Sequence, residues 1–310
     1  MENTPTAAQF ARPRGDEDAS TPLASEARDH VDMVRRLSTV GDFTSPDQPR
    51  VFVVANQKGG VGKTTTSVNI AAAMALRGLR VLLIDLDPQG NASTATNIEH
   101  GAGTRGTYEV LLDGASIADV VQQAPDVPNL GVVPATIDLA GAEIELVSTV
   151  SREQRLSRAI STYLENTDID YVFIDCPPSL GLLTVNAMAA AKEVLIPIQC
   201  EYYALEGLSQ LLRNIELVQQ HLNPELDVTT VLLTMHDART NLSASVAAEV
   251  RQHFDRRVLN TAIPRSVKIS EAPGYQQTIL TYDSSSIGAL SYLEAAREIT
   301  MHYPDKERDS

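Results

Sequence analysis

The stretch Val51-Phe-Val-Val-Ala-Asn-Gln-Lys58-Gly-Gly-Val-Gly62-Lys63-Thr64-Thr65-Thr66 joins an apolar, β-branched run to a glycine-rich turn that opens directly into a helix. Val51 to Ala55 has the make-up of a strand buried on both faces, and the alanine-rich Ser67 to Leu76 that of a packed helix. The turn between them suits an anion. Glycines at 59, 60 and 62 let backbone N–H groups approach it without Cβ interference, and the helix aims the positive end of its dipole there. Lys63 adds a charge for β- and γ-phosphates, and Thr64 a hydroxyl for a phosphate-bound Mg²⁺. A nucleoside triphosphate with Mg²⁺ is the ligand this pattern favours.

Outward from that loop, Val81-Leu-Leu-Ile-Asp85-Leu-Asp87-Pro-Gln-Gly-Asn91 reads as a second buried strand ending in carboxylates, and Tyr171-Val-Phe-Ile-Asp175 as a third. Catalytic groups in open α/β sheets gather at such carboxyl ends. Asp85 and Asp87, two apart in an extended chain, share a side and can both face the phosphate crevice. Carboxylates straight after apolar runs are costly unless a cation or water meets them. Asp175 fits the aspartate that holds a Mg²⁺-bound water.

The remaining pattern predicts strands at Leu130 to Pro134, Glu193 to Gln199, Val228 to Thr234 and Val258 to Ala262. Helices are expected at Thr107 to Leu112, Ile117 to Gln122, Leu139 to Val147, Glu153 to Glu165, Thr184 to Ala191, Glu206 to Leu222, Ser243 to Phe254 and Ser291 to His302. Ser93 to Gly106 reads as a polar loop. The alternation specifies an α/β fold with a mostly parallel twisted sheet and helices on both faces. Residues 1–49 lack sustained apolar clusters and read as a mostly disordered extension, with an amphipathic helix expected over 21–39 from Leu23, Ala27, Val31, Val34 and Leu37. Residues 50–303 form the expected domain and 304–310 a frayed, charged tail.

The 310 residues carry a formal net charge of −15, which excludes a broadly basic nucleic-acid binder; any DNA contact must be local or assembled by dimerisation. Two cysteines, Cys176 and Cys200, lie in apolar segments, which suits reduced thiols and excludes a disulfide framework. No apolar run approaches the roughly 20 residues that span a bilayer, so a soluble, cytoplasmic protein with no membrane partner is expected.

The phosphate loop departs from the usual pattern, with Gln57 where glycine is expected, but adds Lys58 at its start. Lys-Gly-Gly-Val-Gly-Lys-Thr-Thr resembles the deviant Walker A motif of the ParA/MinD superfamily of P-loop NTPases. Together with Asp85 to Asn91, Asp175-Cys-Pro-Pro-Ser-Leu-Gly, Glu201-Tyr-Tyr-Ala-Leu-Glu-Gly, Met235-His-Asp-Ala-Arg-Thr-Asn and Ile263-Pro-Arg-Ser-Val-Lys-Ile-Ser-Glu-Ala-Pro, it is similar to the chromosomal ParA/Soj family over about Arg50 to Tyr303. The resemblance implies an ATPase that segregates chromosomes with ParB, binds DNA nonspecifically as an ATP-dependent sandwich homodimer, and associates with the nucleoid. It further implies that Gly59, Gly60, Val61, Gly62, Lys63, Thr64 and Thr65 surround the phosphates, and that Thr64 ligates Mg²⁺ directly. Asp85 and Asp175 would hold Mg²⁺ through water, and Asp87 would orient the attacking water. Lys58 would cross to the partner's ATP, with the charge-neutralising logic of an arginine finger. Pro264 and Ser266 match the loop that approaches adenine; Arg239 and Lys268 match DNA contacts that Arg251 and Arg265 could broaden.

Three other readings share the loop. A MinD-like membrane ATPase would carry a basic amphipathic C-terminal helix, whereas Leu293 to Met301 and Asp305 to Asp309 mix acid with base. An iron–sulfur reductase would need cluster cysteines, and neither Cys176 nor Cys200 has that setting. A nucleotide-gated scaffold for polar or cytoskeletal proteins, using residues 1–49 for its partner, fits the same motifs.

Overall fold

The computed structural model describes residues 41–202, 208–237 and 239–302. Among these, the apolar runs pair into a seven-stranded sheet of β1 (Arg50–Val54), β2 (Val81–Asp85), β3 (Gln122–Gln123), β4 (Leu130–Val133), β5 (Tyr171–Asp175), β6 (Glu193–Gln199) and β7 (Asp227–Thr234). The order is β3-β4-β2-β5-β1-β6-β7, and only the short β3–β4 pair is antiparallel. The helices are α1 (Lys63–Leu76), α2 (Asn91–Ala95), α3 (Thr107–Leu111), α4 (Ile117–Val120), α5 (Leu139–Leu146), α6 (Arg155–Glu165), α7 (Leu182–Ala190), α8 (Leu208–His221), α9 (Asn241–Phe254), α10 (Val267–Glu271), α11 (Ile279–Tyr282) and α12 (Ile287–Met301).

Alternation along the strands divides the core in two. Val51, Val53, Leu82, Ile84, Val172 and Ile174 point to the layer built by α3 to α9. Phe52, Val54, Val81, Leu83, Tyr171 and Phe173 point the other way, toward α1, α2 and α10 to α12. Because both faces are covered, β1, β2 and β5 are buried at every position. The parallel register is what builds the site: Val54 and Asp85 both pair with Asp175, so the start of the glycine loop and two carboxylates reach one level at the carboxyl edge.

The opposite edge holds a buried ion pair. Arg50 Nε and Nη2 each donate to Glu193 at 2.7 Å, and Arg50 Nη1 donates to the Ile299 carbonyl at 2.7 Å. Thr229 Oγ1 donates to Glu193 Oε2 at 2.8 Å, and the guanidinium lies 4.9 Å from the Phe52 ring centroid. Burial alone would lower the Arg50 pKa, but the Glu193 partner outweighs it and the net shift is upward.

Local expectation and structure differ in a few places. Residues 41–49 have no regular secondary structure, yet they are held on the body: Ser45 Oγ donates to Asp170 at 2.5 Å, and the Thr44 carbonyl accepts from the Tyr171 hydroxyl at 3.3 Å. The helix expected over 21–39 and the tail at 304–310 lie outside the described residues. The expected polar loop from Ser93 begins inside α2. Val258 to Ala262 is not a strand. It follows the β7 edge through Leu259 N–H to Val231 and Ile263 N–H to Leu233, but between them Glu298 takes the Asn260 and Thr261 N–H groups at 2.7 and 2.8 Å and interrupts the ladder. The last helix starts earlier than expected, at Ile287, where Ser286 accepts the Ala289 N–H as a cap.

Candidate functional site

Gly60 and Gly62 adopt φ of 74° and 88°, left-handed values that a side chain would strain, and this turns successive N–H groups inward. Gly62 caps the 14-residue α1 with no side-chain hydrogen bond, so the helix N-terminus carries no competing internal acceptor. The loop is anchored from outside. Thr234 Oγ1 donates to the Val61 carbonyl at 2.8 Å, Asn56 Nδ2 donates to the Pro197 carbonyl at 2.8 Å, and Asn56 Oδ1 accepts the Lys58 N–H at 3.0 Å. Lys63 is buried, with Nζ 3.4 Å from the Lys58 carbonyl. Burial lowers its pKa, and the neighbouring Asp175 carboxylate opposes that shift.

Asp85 and Asp175 are fully buried beside one another. Asp85 Oδ2 accepts both the N–H and the hydroxyl of Ser93 at 2.8 Å, while Oδ1 accepts the Asp87 N–H at 3.2 Å. Burial pushes Asp85 up to about 6 against these bonds. Asp175 Oδ1 accepts the Ser67 hydroxyl at 2.9 Å, and burial followed by the Asp85 charge pushes this acid up to about 8. Asp87 is also buried, and its Oδ1 accepts the Gln89 N–H at 3.0 Å within a turn closed by Gly90 at φ 62°.

These features fit a magnesium–polyphosphate group. Asp175 Oδ2 is buried with no hydrogen-bond partner, so one acceptor stands ready for the O–H of a metal-bound water. Two adjacent buried carboxylates favour a cation between them, and the glycine loop presents N–H groups to an anion. Without that group the pair is a liability with a definite pH signature. A folded-state pKa above the unfolded value gives stability that is present below about pH 4 and is lost as pH rises through about 8 for Asp175. In thermal unfolding without nucleotide or metal, Asp175→Asn is expected to lose most of the decline that the pair causes between pH 5 and 8.5, roughly three quarters, Asp85 supplying the rest. A variant curve parallel to wild type would remove Asp175 from that titration.

Lys58 pairs with Glu201 at 3.4 Å within its own chain, and Glu201 also meets Arg265 at 3.4 Å. The carboxylate thus spans the phosphate loop and the segment carrying Pro264 and Ser266. Pro264 lies against His236 through a backbone bridge, and Ser266 precedes α10 without capping it by a side-chain bond. Among the cations expected to meet DNA, Arg239 is the most open, its side chain 88% exposed and held at 2.9 Å by both oxygens of Asp237. Lys268 pairs with Asp283. Arg251, in the last turns of α9, donates to the carbonyls of Leu259 and Asn260 at 3.1 and 3.2 Å. Its guanidinium fastens the segment beside β7.

Sequence reasoning missed Ser93, Thr234, Asn56 and Glu201. Ser93, Thr234 and Glu201 act on the loop or on Asp85 from other elements, and no local pattern marks such a pairing; Asn56 lies within the loop stretch itself, but its tie to the Pro197 carbonyl crosses to β6.

The parallel sheet, the glycine loop and the carboxylates at its edge define an α/β phosphate-loop protein of the P-loop NTPase class. A family model described as an AAA domain matches residues 49–228. The sporulation initiation inhibitor protein Soj of Bacillus subtilis (strain 168) is 55% identical over 250 residues, covering 81% of this chain and 98% of Soj. The chromosome partitioning protein ParA of Caulobacter vibrioides is 48% identical over 258 residues, covering 83% and 96% of the two chains. A solved Mycobacterium smegmatis protein, described as cobyrinic acid a,c-diamide synthase with bound ADP and magnesium, superposes with a TM-score of 0.71 at 39% identity, over 82% of this chain and 95% of that one. A Cyanothece McdA variant solved as its ATP complex, at 21% identity and TM-score 0.72 over 84% and 99% of the chains, shares the fold. The chain belongs to the ParA/Soj family of chromosome-partitioning proteins. Among the described residues no helix is long and apolar enough to cross a membrane.

Proposed function

We propose that this chain is a Mg²⁺-dependent chromosome-partitioning ATPase whose ATP-bound homodimer holds DNA without regard to sequence until ParB stimulates hydrolysis. The observation that carries the ATPase reading is the buried Asp85–Asp175 pair, in register with the end of β1 and bearing an unpartnered Asp175 oxygen. Magnesium, when bound, supplies positive charge for the β- and γ-phosphate oxygens.

The protein's own groups do the rest. Backbone N–H groups from Gly59 to Thr65 bind the phosphates, and Lys63 adds its charge, which burial disfavours and the neighbouring Asp175 supports. The Thr64 hydroxyl would hold the metal directly, and Asp85 and Asp175 would accept hydrogen bonds from its bound water. Asp87 positions the attacking water. Lys58 leaves Glu201 to neutralise the leaving phosphate of the partner protomer's ATP, so that the triphosphate favours dimerisation. Pro264 and Ser266 lie against the adenine. On this reading the protein works in the cytoplasm on the nucleoid, with ParB and double-stranded DNA as partners.

DNA is met by Arg239, held by an acid that phosphate would replace, and by Lys268, which Asp283 keeps in place, with Arg265 near Arg239. Dimerisation doubles this local basic patch, which offsets the overall acidity. Arg239→Ala is expected to weaken ATP-dependent DNA binding at every sequence, to flatten the dependence of log affinity on log salt by about two for two protomers, and to spare ATPase activity without DNA. Binding titrations on two unrelated duplexes at several salt concentrations check this; a loss confined to one duplex would contradict nonspecific contact. For the ATPase itself, phosphate release from ATP that requires Mg²⁺ and disappears in Lys63→Ala is the direct test.

A further inference from the structure

Asn69 lies one turn beyond Thr65 on α1 and is buried, yet it bonds in two directions. Its Nδ2 donates to the Thr65 carbonyl at 2.8 Å, and its Oδ1 accepts the N–H of Ile279, 210 residues away, at 2.9 Å. Ile279 opens α11, and the chain of contacts continues from there. The Ile279 carbonyl accepts the Asp283 N–H at 2.9 Å, and Asp283 holds the Lys268 ammonium.

Packing near the loop is incomplete. A cavity of about 240 Å³ separates Thr64, Thr65 and Asn91 from Pro273 and Gln277. Beside this opening the segment between α10 and α11 is held by packing of Ala272–Tyr275 on α2 and of α11 on α1, and the Asn69 bonds are the polar link that ties α11 directly to the first turns of α1. On the far side, α10 lies tight on α12: a Cβ added to Gly288 would sit 2.8 Å from Ile269 Cγ1 and Cδ1.

We infer that Asn69 is a positioning residue that fixes Lys268 relative to the phosphate loop, so that the loop and the DNA-contacting surface keep one geometry. The inference rests on the reading that Lys268 meets DNA. A merely structural Asn69 would lower stability and weaken nucleotide and DNA binding together. A positioning Asn69 separates the two.

The experiment uses the full chain with Mg²⁺ and ATP, a random-sequence DNA duplex, and hydrogen exchange at the Ile279 amide. In Asn69→Ala the Ile279 amide is expected to exchange faster, ATP affinity to stay within about threefold, and DNA affinity in the ATP state to fall at least about tenfold, a change of roughly 1.4 kcal/mol. Ile279→Pro removes the N–H while leaving Asn69 in place. Position 279 is the first of α11 and follows an extended Thr278, so its backbone accepts proline; because the Ile279 side chain is fully buried, Ile279→Ala, which keeps the N–H, is measured beside it, and the loss of DNA affinity is expected in Ile279→Pro well beyond that in Ile279→Ala. DNA affinity unchanged in both variants while Lys268→Ala weakens it overturns the inference and leaves the DNA reading standing, and a parallel loss of ATP and DNA affinity also overturns it. If Lys268→Ala leaves DNA binding unchanged, the reading fails and the inference with it.

Discussion

Asp87→Ala is expected to bind ATP within a few-fold of the wild-type affinity and to dimerise, while turnover falls by about two to four orders of magnitude. The asymmetry follows from where Asp87 sits. Its backbone N–H donates to Asp85 and its carbonyl accepts from Gly90 at 2.9 Å, and both bonds survive truncation to alanine. What is lost is a buried carboxylate whose second oxygen is not engaged by the turn and which can accept from an attacking water. The phosphate cradle is built by other residues, so ground-state binding persists and the loss appears in the chemical step. Single-turnover phosphate release measured beside nucleotide affinity checks this; hydrolysis at the wild-type rate would take Asp87 out of the water-positioning role.

Glu193→Ala is expected to destabilise the fold by about 3 to 5 kcal/mol, among the largest single effects in the molecule. The carboxylate answers a guanidinium whose side chain is only 8% exposed, and removing it takes away the charge that balances buried Arg50. It also takes an acceptor from the Thr229 hydroxyl, another buried group. For a domain of this size each kcal/mol moves the midpoint by roughly 2 to 4 °C, so a fall on the order of 10 °C is expected in thermal unfolding. Since the pair lies at the edge of the sheet opposite the phosphate loop, nucleotide affinity below the transition should change little. A midpoint within about 2 °C of wild type would show that water reaches the pair readily and that its burial carries little cost.

How much was legible in the chain follows from the range of the interactions. The glycine loop, Lys63 and the aspartates at 85, 87 and 175 are local signals: each lies within a few residues of an apolar strand that fixes which edge of the sheet it reaches. The helices and strands of the central βα units were readable for the same reason, since burial on both faces demands unbroken apolar runs. Segments ordered by distant partners were not. Val258 to Ala262 has strand composition, but Glu298 from α12 takes two of its N–H groups. Residues 43–45 read as tail, but Asp170, Tyr171 and Arg77 hold them. Within the site, Lys58 and Arg265 were recognisable as cations, whereas their common acid Glu201 becomes apparent only when β6 and the segment after β7 lie side by side.

The measurement that tests the account most directly is binding of a random-sequence DNA duplex to the full chain with ATP, with ADP and without nucleotide, at two salt concentrations. Binding that requires ATP, is indifferent to sequence and weakens steeply with salt is the result predicted. Absence of DNA binding in all three states, with ATP driving association with a protein or lipid surface instead, would contradict it.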